Sequence, residues 1–500
     1  LDHLDLNSFP VDMAATNLLA PAAARRYEAC PVAYVDERVL LVAMADPANV
    51  LAIDDIAIMT GLEVRAAVAS REDIAQLISR ITRLDDVVAS TSFETEEEEG
   101  NGPAEVVDLR ESADDAPVIK LVNQIVAQAV EQGASDVHLE PEGSDMRVRF
   151  RIDGVLIEPT SIPRRMLNGV VSRVKIMADL DIAERRVPQD GRVGLTIDGH
   201  HVDLRVVTLP SVHGESIVMR ILDKDSVIMN LDRLGMGESD EERFKKAFTQ
   251  AYGAVLVTGP TGSGKSTTLY AALGVINTPE KNIITIEDPV EYQVGGITQV
   301  QVNTKAGLTF ASGLRAMMRA DPDVIMVGEV RDRETAQIAV ESALTGHLVL
   351  STLHTNDAPG AVTRLIEMGI EPFLVSSAID CVVAQRLART LCDNCKRPVT
   401  LNAEVLLDHG YKDVFDDIEG FEAAGCNRCG GSGYKGRLGL YEVMSVTDEI
   451  RNLAVERASA DRIAEVAVKQ GMRRLREDGL AKVAAGRTSI AEVARVTGTA

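Results

Sequence analysis

A glycine-rich segment in the second half of the chain has the residue types and spacing needed to bind phosphate. It follows the pattern G-x-x-x-x-G-K-S and comprises Gly259, Pro260, Thr261, Gly262, Ser263, Gly264, Lys265, Ser266 and Thr267. The glycines let backbone N–H groups surround a β-phosphate, and the N-terminus of the next helix adds partial positive charge. Lys265 is expected to meet β- and γ-phosphate oxygens, and Ser266 to ligate Mg²⁺. An apolar run before the segment and a helical pattern after it favour a nucleotide-binding loop over an ordinary glycine-rich turn.

Two acidic residues at the ends of further apolar runs are candidates for metal binding and water activation, which phosphoryl transfer requires. The run IITIE ends at Glu287, and the run DVIMVG is followed by Glu329. Gly328 stands where a strand of this kind normally carries a magnesium-binding Asp. We therefore predict that Glu329 polarises the attacking water and that Glu287 binds Mg²⁺ through its water shell. One acid at a strand end is usually solvated or caps a helix, but two beside a phosphate-binding loop favour catalysis.

A fourth apolar run, residues 346–353, leads directly into His354. Because parallel strands end at one edge of their sheet, His354 is expected to lie near the acidic candidates. A lone histidine in such a place is more often structural, but this one could also sense the γ-phosphate. Both interpretations stay open on the sequence alone.

Four of the six cysteines form two C-x-x-C pairs, which are Cys392 with Cys395 and Cys426 with Cys429. Two such pairs predict a closed, structural Zn²⁺ site with four thiolate ligands. Disulfides are not expected in the cytosol, and a redox-active C-x-x-C does not need a second pair. The second pair also looks like the knuckle of chaperone zinc domains, but a chaperone would need more such repeats. The remaining thiols, Cys30 and Cys381, are expected to be ordinary buried residues.

Composition narrows the class of protein. The chain has 500 residues, a formal net charge of −24, no Trp and only 3% aromatic residues. The acidic balance and the scarcity of aromatic rings argue against a nucleic-acid ligand, which usually requires a basic face or a stacking platform. The most apolar stretch, IEPFLVSSAIDCVVAQ, is interrupted by Glu371 and Asp380, so no membrane span is expected. No signal peptide is recognised, and a cytosolic protein is therefore expected.

Several modules must position the candidate residues. Residues 1–82 mix short strand and helix patterns, which is typical of a small α/β module. Residues 83–116 are predicted to form a flexible linker, because the stretch from Glu94 to Asp115 has ten acidic residues and one basic residue. Residues 117–230 begin with an amphipathic helix and continue in alternating strands, which is typical of an α+β domain. Residues 231–500 contain continuous apolar runs between helical patterns, which predict a parallel sheet covered by helices. The cysteine segment, residues 390–437, is inserted there, and mostly helical sequence follows it.

Four segments in a fixed order support a family resemblance. GPTGSGKSTTLY, TIEDPVEYQ, DVIMVGEVRD and TGHLVLSTLHTNDA resemble the Walker A, Asp box, Walker B and His box of the secretion ATPases. Within that superfamily the chain resembles the type IV pilus assembly and type II secretion ATPases, closely over residues 117–500 and more loosely over residues 1–82. The resemblance implies an α/β fold with a RecA-like P-loop ATPase domain that carries the zinc-binding subdomain. A PAS-like α+β domain and a small N-terminal docking module would precede it.

The same resemblance assigns a set of arginines to the nucleotide cleft. They are Arg205, Arg220, Arg315, Arg319 and Arg437. Guanidinium groups suit this role because a phosphoryl transition state needs its charge neutralised from several sides. Arg315 and Arg319 are four residues apart and are expected to share one helix face. Without the resemblance, a surface ion pair would be the default interpretation for each of them.

The resemblance also implies ATP, Mg²⁺ and Zn²⁺ as cofactors and a cytoplasmic homohexamer at the inner face of the cytoplasmic membrane. Hydrolysis would rock the domains, and an inner-membrane platform protein would use that motion to lift pilin-like subunits out of the bilayer. The N-terminal module would dock on a membrane-associated protein. Some relatives bind cyclic di-GMP there through an Arg-Leu-Gly-rich segment, which residues 1–82 do not contain.

Three alternatives stay open. A RecA-like DNA translocase or helicase would share the phosphate-binding loop, a nucleotide-gated scaffold would bind ATP without turnover, and a pilus retraction ATPase would share most of the core. By the same resemblance, retraction ATPases lack the paired cysteines, which therefore favour assembly or secretion over retraction.

Overall fold

The computed structural model describes residues 3–77 and 117–498, except for residues 5, 7–8, 10, 17, 20, 37, 72, 75–76, 144, 198–199, 224–229, 412–413, 415, 427–428 and 430. The predicted acidic linker, residues 83–116, lies outside the described residues. The chain divides into two compact units, residues 1–225 with 424–433 and residues 226–423 with 434–500.

A three-stranded sheet with short helices forms the N-terminal module. Its elements are α1 (Met13–Thr16), α2 (Pro21–Tyr27), β1 (Ala29–Tyr34), β2 (Val39–Met44), α3 (Val50–Thr60) and β3 (Glu63–Val68). β2 pairs antiparallel with β1 and parallel with β3. α3 begins after Asn49, whose side chain accepts a hydrogen bond from the backbone of Ala52, and ends at Gly61 in the left-handed conformation. Cys30 is fully buried and burial raises its pKa to about 12, which confirms an inert core thiol.

A second sheet with two helices follows. Its elements are α4 (Pro117–Glu131), β4 (Ala134–Glu142), β5 (Asp145–Ile152), β6 (Val155–Pro163), α5 (Arg164–Met177), β7 (Gln189–Ile197), β8 (His200–Ser211) and β9 (Gly214–Asp223). The strands form an antiparallel sheet in the order β6-β5-β4-β9-β8-β7. The apolar faces of α4 and α5 pack with one face of this sheet around Phe150. The alternating strands therefore bury one face, as predicted, and leave polar side chains on the other.

The second unit contains the elements that carry the phosphate-binding loop. Its strands are β10 (Gly253–Thr258), β11 (Ile283–Glu287), β12 (Thr298–Gln301), β13 (Val324–Val327), β14 (Leu348–Leu353), β15 (Ile379–Leu391), β16 (Arg397–Leu401), β17 (Ile418–Glu422) and β18 (Tyr434–Ser445). Its α-helices are α6 (Glu238–Phe248), α7 (Lys265–Ile276), α8 (Phe310–Met317), α9 (Arg333–Leu344), α10 (Pro359–Glu367), α11 (Pro372–Ala378), α12 (Ala403–Asp408), α13 (Asp448–Val455), α14 (Ala460–Lys469), α15 (Leu475–Ala484) and α16 (Ile490–Thr497).

The large sheet of this unit has the order β12-β11-β13-β14-β10-β15-β18. All neighbouring strands are parallel except the edge pair β15 and β18. β10, β11, β13 and β14 are buried along their whole length, which is why they appear in the sequence as continuous apolar runs. Their carboxyl ends lie at one edge of the sheet, where ligands bind in open α/β folds.

The segment after β15 holds the cysteines and the hairpin of β16 and β17. The predicted helices follow near the C-terminus, but β18 comes first and pairs with β15 over most of its length. Leu440, Tyr441, Val443 and Met444 are buried in this strand, so tertiary burial outweighs the helical appearance of the sequence. Within the described ranges, no helix combines the length and the apolar character that crossing a membrane requires.

Candidate functional site

The predicted phosphate-binding loop connects β10 to α7. Gly259 has φ +147° and Gly264 has φ +85°, which side-chain-bearing residues rarely adopt. A methyl group on Gly259 would lie only 2.5 Å from the backbone oxygen of Gln385, so glycine is required by space as well as by conformation. Ser263 Oγ is buried and has no hydrogen-bond partner among the described residues. A buried hydroxyl without a partner in the described part of the chain, in a glycine-rich loop at a helix N-terminus, fits the phosphates of a nucleotide.

Lys265 lies at the mouth of this loop. Its ammonium group donates hydrogen bonds to the backbone oxygens of Gly259 at 2.8 Å and Pro260 at 3.1 Å. Burial lowers the pKa of Lys265, the charge of Glu329 opposes this shift, and the charge of Arg386 adds to it. The structure thus holds the ammonium group next to the loop in which the sequence predicts phosphate to bind.

Glu329 and His354 come together at the carboxyl ends of β13 and β14. Nε2 of His354 lies 2.7 Å from one carboxylate oxygen of Glu329, and Nε of Arg331 donates to the other at 2.6 Å. Burial would raise the pKa of Glu329, but the hydrogen bond from Arg331 and the charges of Arg331, His354 and Lys265 bring it below its usual value. Glu329 is therefore an ionised carboxylate at neutral pH, and its charge acts on Lys265 of the predicted phosphate-binding loop.

Glu287 is placed differently from Glu329. Its side chain is buried, and its carboxylate accepts hydrogen bonds from Tyr270, from Thr285 at 2.6 Å and from Gln299 at 3.2 Å. Burial and the contact with Glu287 raise the pKa of Tyr270, so the phenol stays a donor. Asp288, the next residue, is exposed, and its negative charge contributes to the raised pKa of Arg331. Glu287 thus has three protein donors, and its role towards Mg²⁺ stays a prediction.

The predicted arginines of the second unit lie on or beside its strands and helices. Arg315 pairs with Glu334, and Arg319 donates to the backbone oxygen of Arg315 at 2.9 Å. α8 ends at Met317, so Arg319 follows the helix instead of sharing a full helix face with Arg315. Pro322, three residues further on, disfavours helical backbone before it. Arg437 lies on β18.

The two predicted arginines of the first unit lie opposite each other on neighbouring strands. Arg205 on β8 pairs in register with Arg220 on β9, and Arg192 on β7 is opposite Arg205. Nε of Arg220 donates to Asp136 at 3.0 Å, and Arg151 lies 3.8 Å from the same carboxylate. These five residues form a row across the exposed face of the sheet with a surplus of positive charge, which suits an anionic ligand.

Two further residues beside the loop are not among the predicted site residues. Gln385 is buried on β15, donates to the backbone oxygen of Ser263 at 2.6 Å and accepts from Thr268 at 2.7 Å. Arg386 follows it. The apolar run DCVVA is followed directly by Gln385 and Arg386, just as the other apolar runs of this sheet are followed by polar residues. This pattern is the signal that could have identified them. The hydrogen bonds of Gln385 therefore hold the phosphate-binding loop and the start of α7 against β15.

The four paired cysteines lie together. Their sulfur atoms are all within 4.8 Å of one another, and Cys392 is the most buried. The backbone N–H groups of Cys426 and Gly433 point at the sulfur of Cys429, at 3.2 and 3.1 Å. A zinc ion with bonds of about 2.3 Å needs sulfur atoms about 3.8 Å apart, and N–H donors stabilise thiolate charge. The cluster therefore fits a zinc ion.

Comparison with protein families gives two matches. Residues 111–495 match the model of the type II/IV secretion system protein family. Residues 1–88 match the model of the MshEN domain.

Several characterised proteins are similar over much of the chain. The type IV pilus assembly ATPase PilB of Myxococcus xanthus is 45% identical over 98% of this chain and 88% of its own length. PilB of Thermus thermophilus is 47% identical over 98% of this chain, which spans 55% of that longer protein. The type II secretion system ATPase E of Vibrio cholerae is 51% identical over 78% of this chain and 77% of its own.

Solved structures share the fold. The pilus retraction motor PilT with bound ADP superimposes with a TM-score of 0.52 and 26% identity, over 74% of this chain and 95% of its own. The ATPase DotB of Legionella pneumophila has a TM-score of 0.56 over 78% of this chain and 98% of its own, at 20% identity.

Proposed function

The chain belongs to the type II/IV secretion system protein family, and from this premise we propose that it is a hexameric motor at the inner face of the cytoplasmic membrane. The resemblance predicted from the sequence is confirmed by this membership. The chain is a secretion ATPase, and its function is to drive assembly of type IV pilus or type II secretion pseudopilus fibres. The observation that carries a hydrolytic role is Glu329, held between Arg331 and His354 beside Lys265.

The chain's own residues supply a base and fixed positive charge for hydrolysis. We assign Glu329 to take a proton from the attacking water, because its lowered pKa keeps the carboxylate ionised. The contact with His354 holds that carboxylate in one orientation. Lys265 neutralises charge that develops on the transferred phosphoryl group. His354 contacts the carboxylate of Glu329 directly, which favours the catalytic interpretation of this histidine over a purely structural one. Ser266 and Glu287 would hold Mg²⁺, which would supply positive charge to offset that of the phosphates.

The arginines of the predicted cleft would complete this charge neutralisation. This proposal is based on the family resemblance, which assigns five arginines to the cleft: Arg205, Arg220, Arg315, Arg319 and Arg437. Arg205 and Arg220 present adjacent guanidinium groups on one sheet face, and two forks side by side suit a polyphosphate.

The cysteine cluster is proposed to hold one structural zinc ion. Four sulfur atoms within 4.8 Å of one another leave no ligand position for water or substrate in a tetrahedral site. The ion would fix the segment between β15 and β18, whose short hairpin buries few apolar residues.

The proposed partners follow from the family. They are an inner-membrane platform protein that receives the motion and a membrane-associated protein that docks the N-terminal module. Residues 1–88 match a module of their own, which supports a separate docking role for them. The chain would be a peripheral protein of the membrane, and no nucleic acid is expected.

One substitution tests the hydrolytic role. In Glu329→Gln, we expect ATP turnover to fall by about 100-fold or more, because a general base contributes about that factor, while nucleotide binding stays close to the wild-type value. A nucleotide-gated scaffold would show no turnover in the wild type, and strong stimulation of turnover by DNA would support a translocase instead. Pilus assembly and retraction are separated by complementing a strain that lacks the gene and counting surface fibres.

A further inference from the structure

A second cation lies beside the phosphate-binding loop. Arg386 is on β15, which pairs with β10 so that Ala384 is opposite Thr258, the last residue before the loop. A methyl group on Gly259 would lie 3.3 Å from Nη1 of Arg386, so the guanidinium group reaches the first glycine of the loop. We propose that Arg386 binds the terminal phosphates of a nucleoside triphosphate held by the same chain. This inference rests on the proposed nucleotide-binding function.

Hydrogen bonds orient the guanidinium group without neutralising it. Nη1 donates to the backbone oxygen of Gln385 at 3.1 Å, and Nη2 donates to the backbone oxygen of Asn356 at 3.0 Å. Both acceptors are uncharged. Asn356 lies two residues after His354, so Arg386 spans from the strand beside the loop to the segment that carries the histidine. A guanidinium group has five N–H donors, and donors remain for an anion.

The acidic residues near Arg386 are occupied by another arginine. The charges of Glu442 and Asp357 oppose the lowering of the pKa of Arg386 by burial. Both carboxylates, however, are paired with Arg474, which lies 3.3 Å from Glu442 and 3.4 Å from Asp357. Over the described ranges, Arg386 forms no ion pair with a carboxylate. Burial lowers its pKa, which reflects the cost of a half-buried cation without a paired anion. Phosphate oxygens at this position would offset that cost.

Arg386 and Lys265 place two like charges at one loop. The charge of Arg386 contributes to the lowered pKa of Lys265, after the larger effect of burial. Two cations that repel each other are both stabilised by a polyanion between them. The stabilisation grows with the charge of that anion, so the pair favours a triphosphate over a diphosphate. Arg386 would therefore help the protein to distinguish ATP from ADP.

The test compares Arg386→Gln in the full-length protein with the matched control Arg462→Gln, whose exposed arginine pairs with Glu465 on α14. Titration calorimetry with magnesium and either AMP-PNP or ADP gives both affinities, and the melting temperature without nucleotide reports folding. We expect Arg386→Gln to weaken AMP-PNP binding by about 10- to 100-fold, the factor that a hydrogen bond to a charged group supplies. ADP binding should weaken by less than about threefold, and the melting temperature and the control should match the wild type.

Other outcomes overturn the inference. Unchanged AMP-PNP binding means that Arg386 does not contact phosphate. An equal loss for both nucleotides, or a melting temperature lowered without nucleotide, means that Arg386 only supports the loop. If the wild type binds neither nucleotide, the proposed function fails as well, whereas the first two outcomes leave it intact.

Discussion

Nε2 of His354 lies 2.7 Å from a carboxylate oxygen of Glu329, so the acid at the end of β13 and the histidine at the end of β14 form one unit. Arg331 binds the other oxygen of the same carboxylate. Glu329 therefore has a fixed orientation and a lowered pKa before any substrate arrives. This arrangement is the basis of the first prediction.

Arg331→Gln should move the acid limb of the pH–rate profile to higher pH. Burial raises the pKa of Glu329, and Arg331 is the largest of the influences that lower it. Without Arg331 the pKa rises, so a larger fraction of Glu329 is protonated at mildly acidic pH and cannot accept a proton from water. The measurement is kcat/KM for ATP from below pH 4.5, the ordinary pKa of a glutamate carboxyl, up to neutral pH. Arg364→Gln, which removes an exposed ion pair on α10, is the control, and an unmoved acid limb would contradict the assignment of Glu329 as base.

Glu287→Gln and Asp288→Asn should separate magnesium binding from structural support. If Glu287 acts on Mg²⁺ through water, its amide variant should need about tenfold more Mg²⁺ for half-maximal ATP turnover, since one charge-assisted interaction is worth about 1.5 kcal/mol or more. Asp288→Asn should then keep the wild-type requirement. The opposite result would assign the metal to the exposed Asp288 and leave Glu287 as the buried acceptor for Tyr270 and Thr285.

Arg205→Gln should lower ATP turnover by about 100-fold or more, because a guanidinium group at a phosphoryl transition state contributes at least that factor. Arg205 is preferred to Arg220, since Arg220 also pairs with the buried Asp136 and its loss would disturb folding. Arg147→Gln, an exposed arginine of the same sheet that pairs with Glu142 and Glu158, is the matched control. Equal turnover in both variants would remove Arg205 from the proposed cleft.

Cys426→Ser should release zinc from the purified protein, because a four-thiolate site loses much of its affinity with one ligand. Metal content is measured by mass spectrometry, and hydrogen exchange of β16 and β17 reports local unfolding. Cys30→Ala keeps all four clustered thiols and should keep the metal. One zinc ion per chain retained by Cys426→Ser would show that the sulfur cluster does not bind it.

The parts of the site that follow from local spacing could be predicted from the sequence. The phosphate-binding loop, Glu329 and the cysteine pairs depend on residues that are close in the chain or that end a buried strand. The polar residues after the run DCVVA mark Gln385 and Arg386 as candidates, but their position beside the loop could not be predicted, because β15 lies beside β10 only through the order of strands in the sheet. The engagement of Glu287 by Tyr270 and Gln299 likewise depends on which elements pack over β11, which no local pattern specifies.

Lys175 and Glu215 provide a prediction about stability. Both side chains are buried and in contact, and Lys175 also donates to the backbone oxygen of Glu184 at 2.7 Å. Lys175→Met leaves the carboxylate of Glu215 in the core, and among the described residues the cation that remains beside it is Arg185 at 4.0 Å. Removing one partner of a buried pair costs about 3–5 kcal/mol, whereas replacing both partners by apolar residues costs much less.

We therefore expect Lys175→Met to lower the free energy of opening of α5 and β9 by about 3–5 kcal/mol. The double variant with Glu215→Leu should recover most of that loss, since it leaves no uncompensated charge. Hydrogen exchange of the amides in these two elements gives the free energies. If the two substitutions were simply additive, Glu215 would not depend on Lys175, and the buried pair would not be what holds α5 against β9.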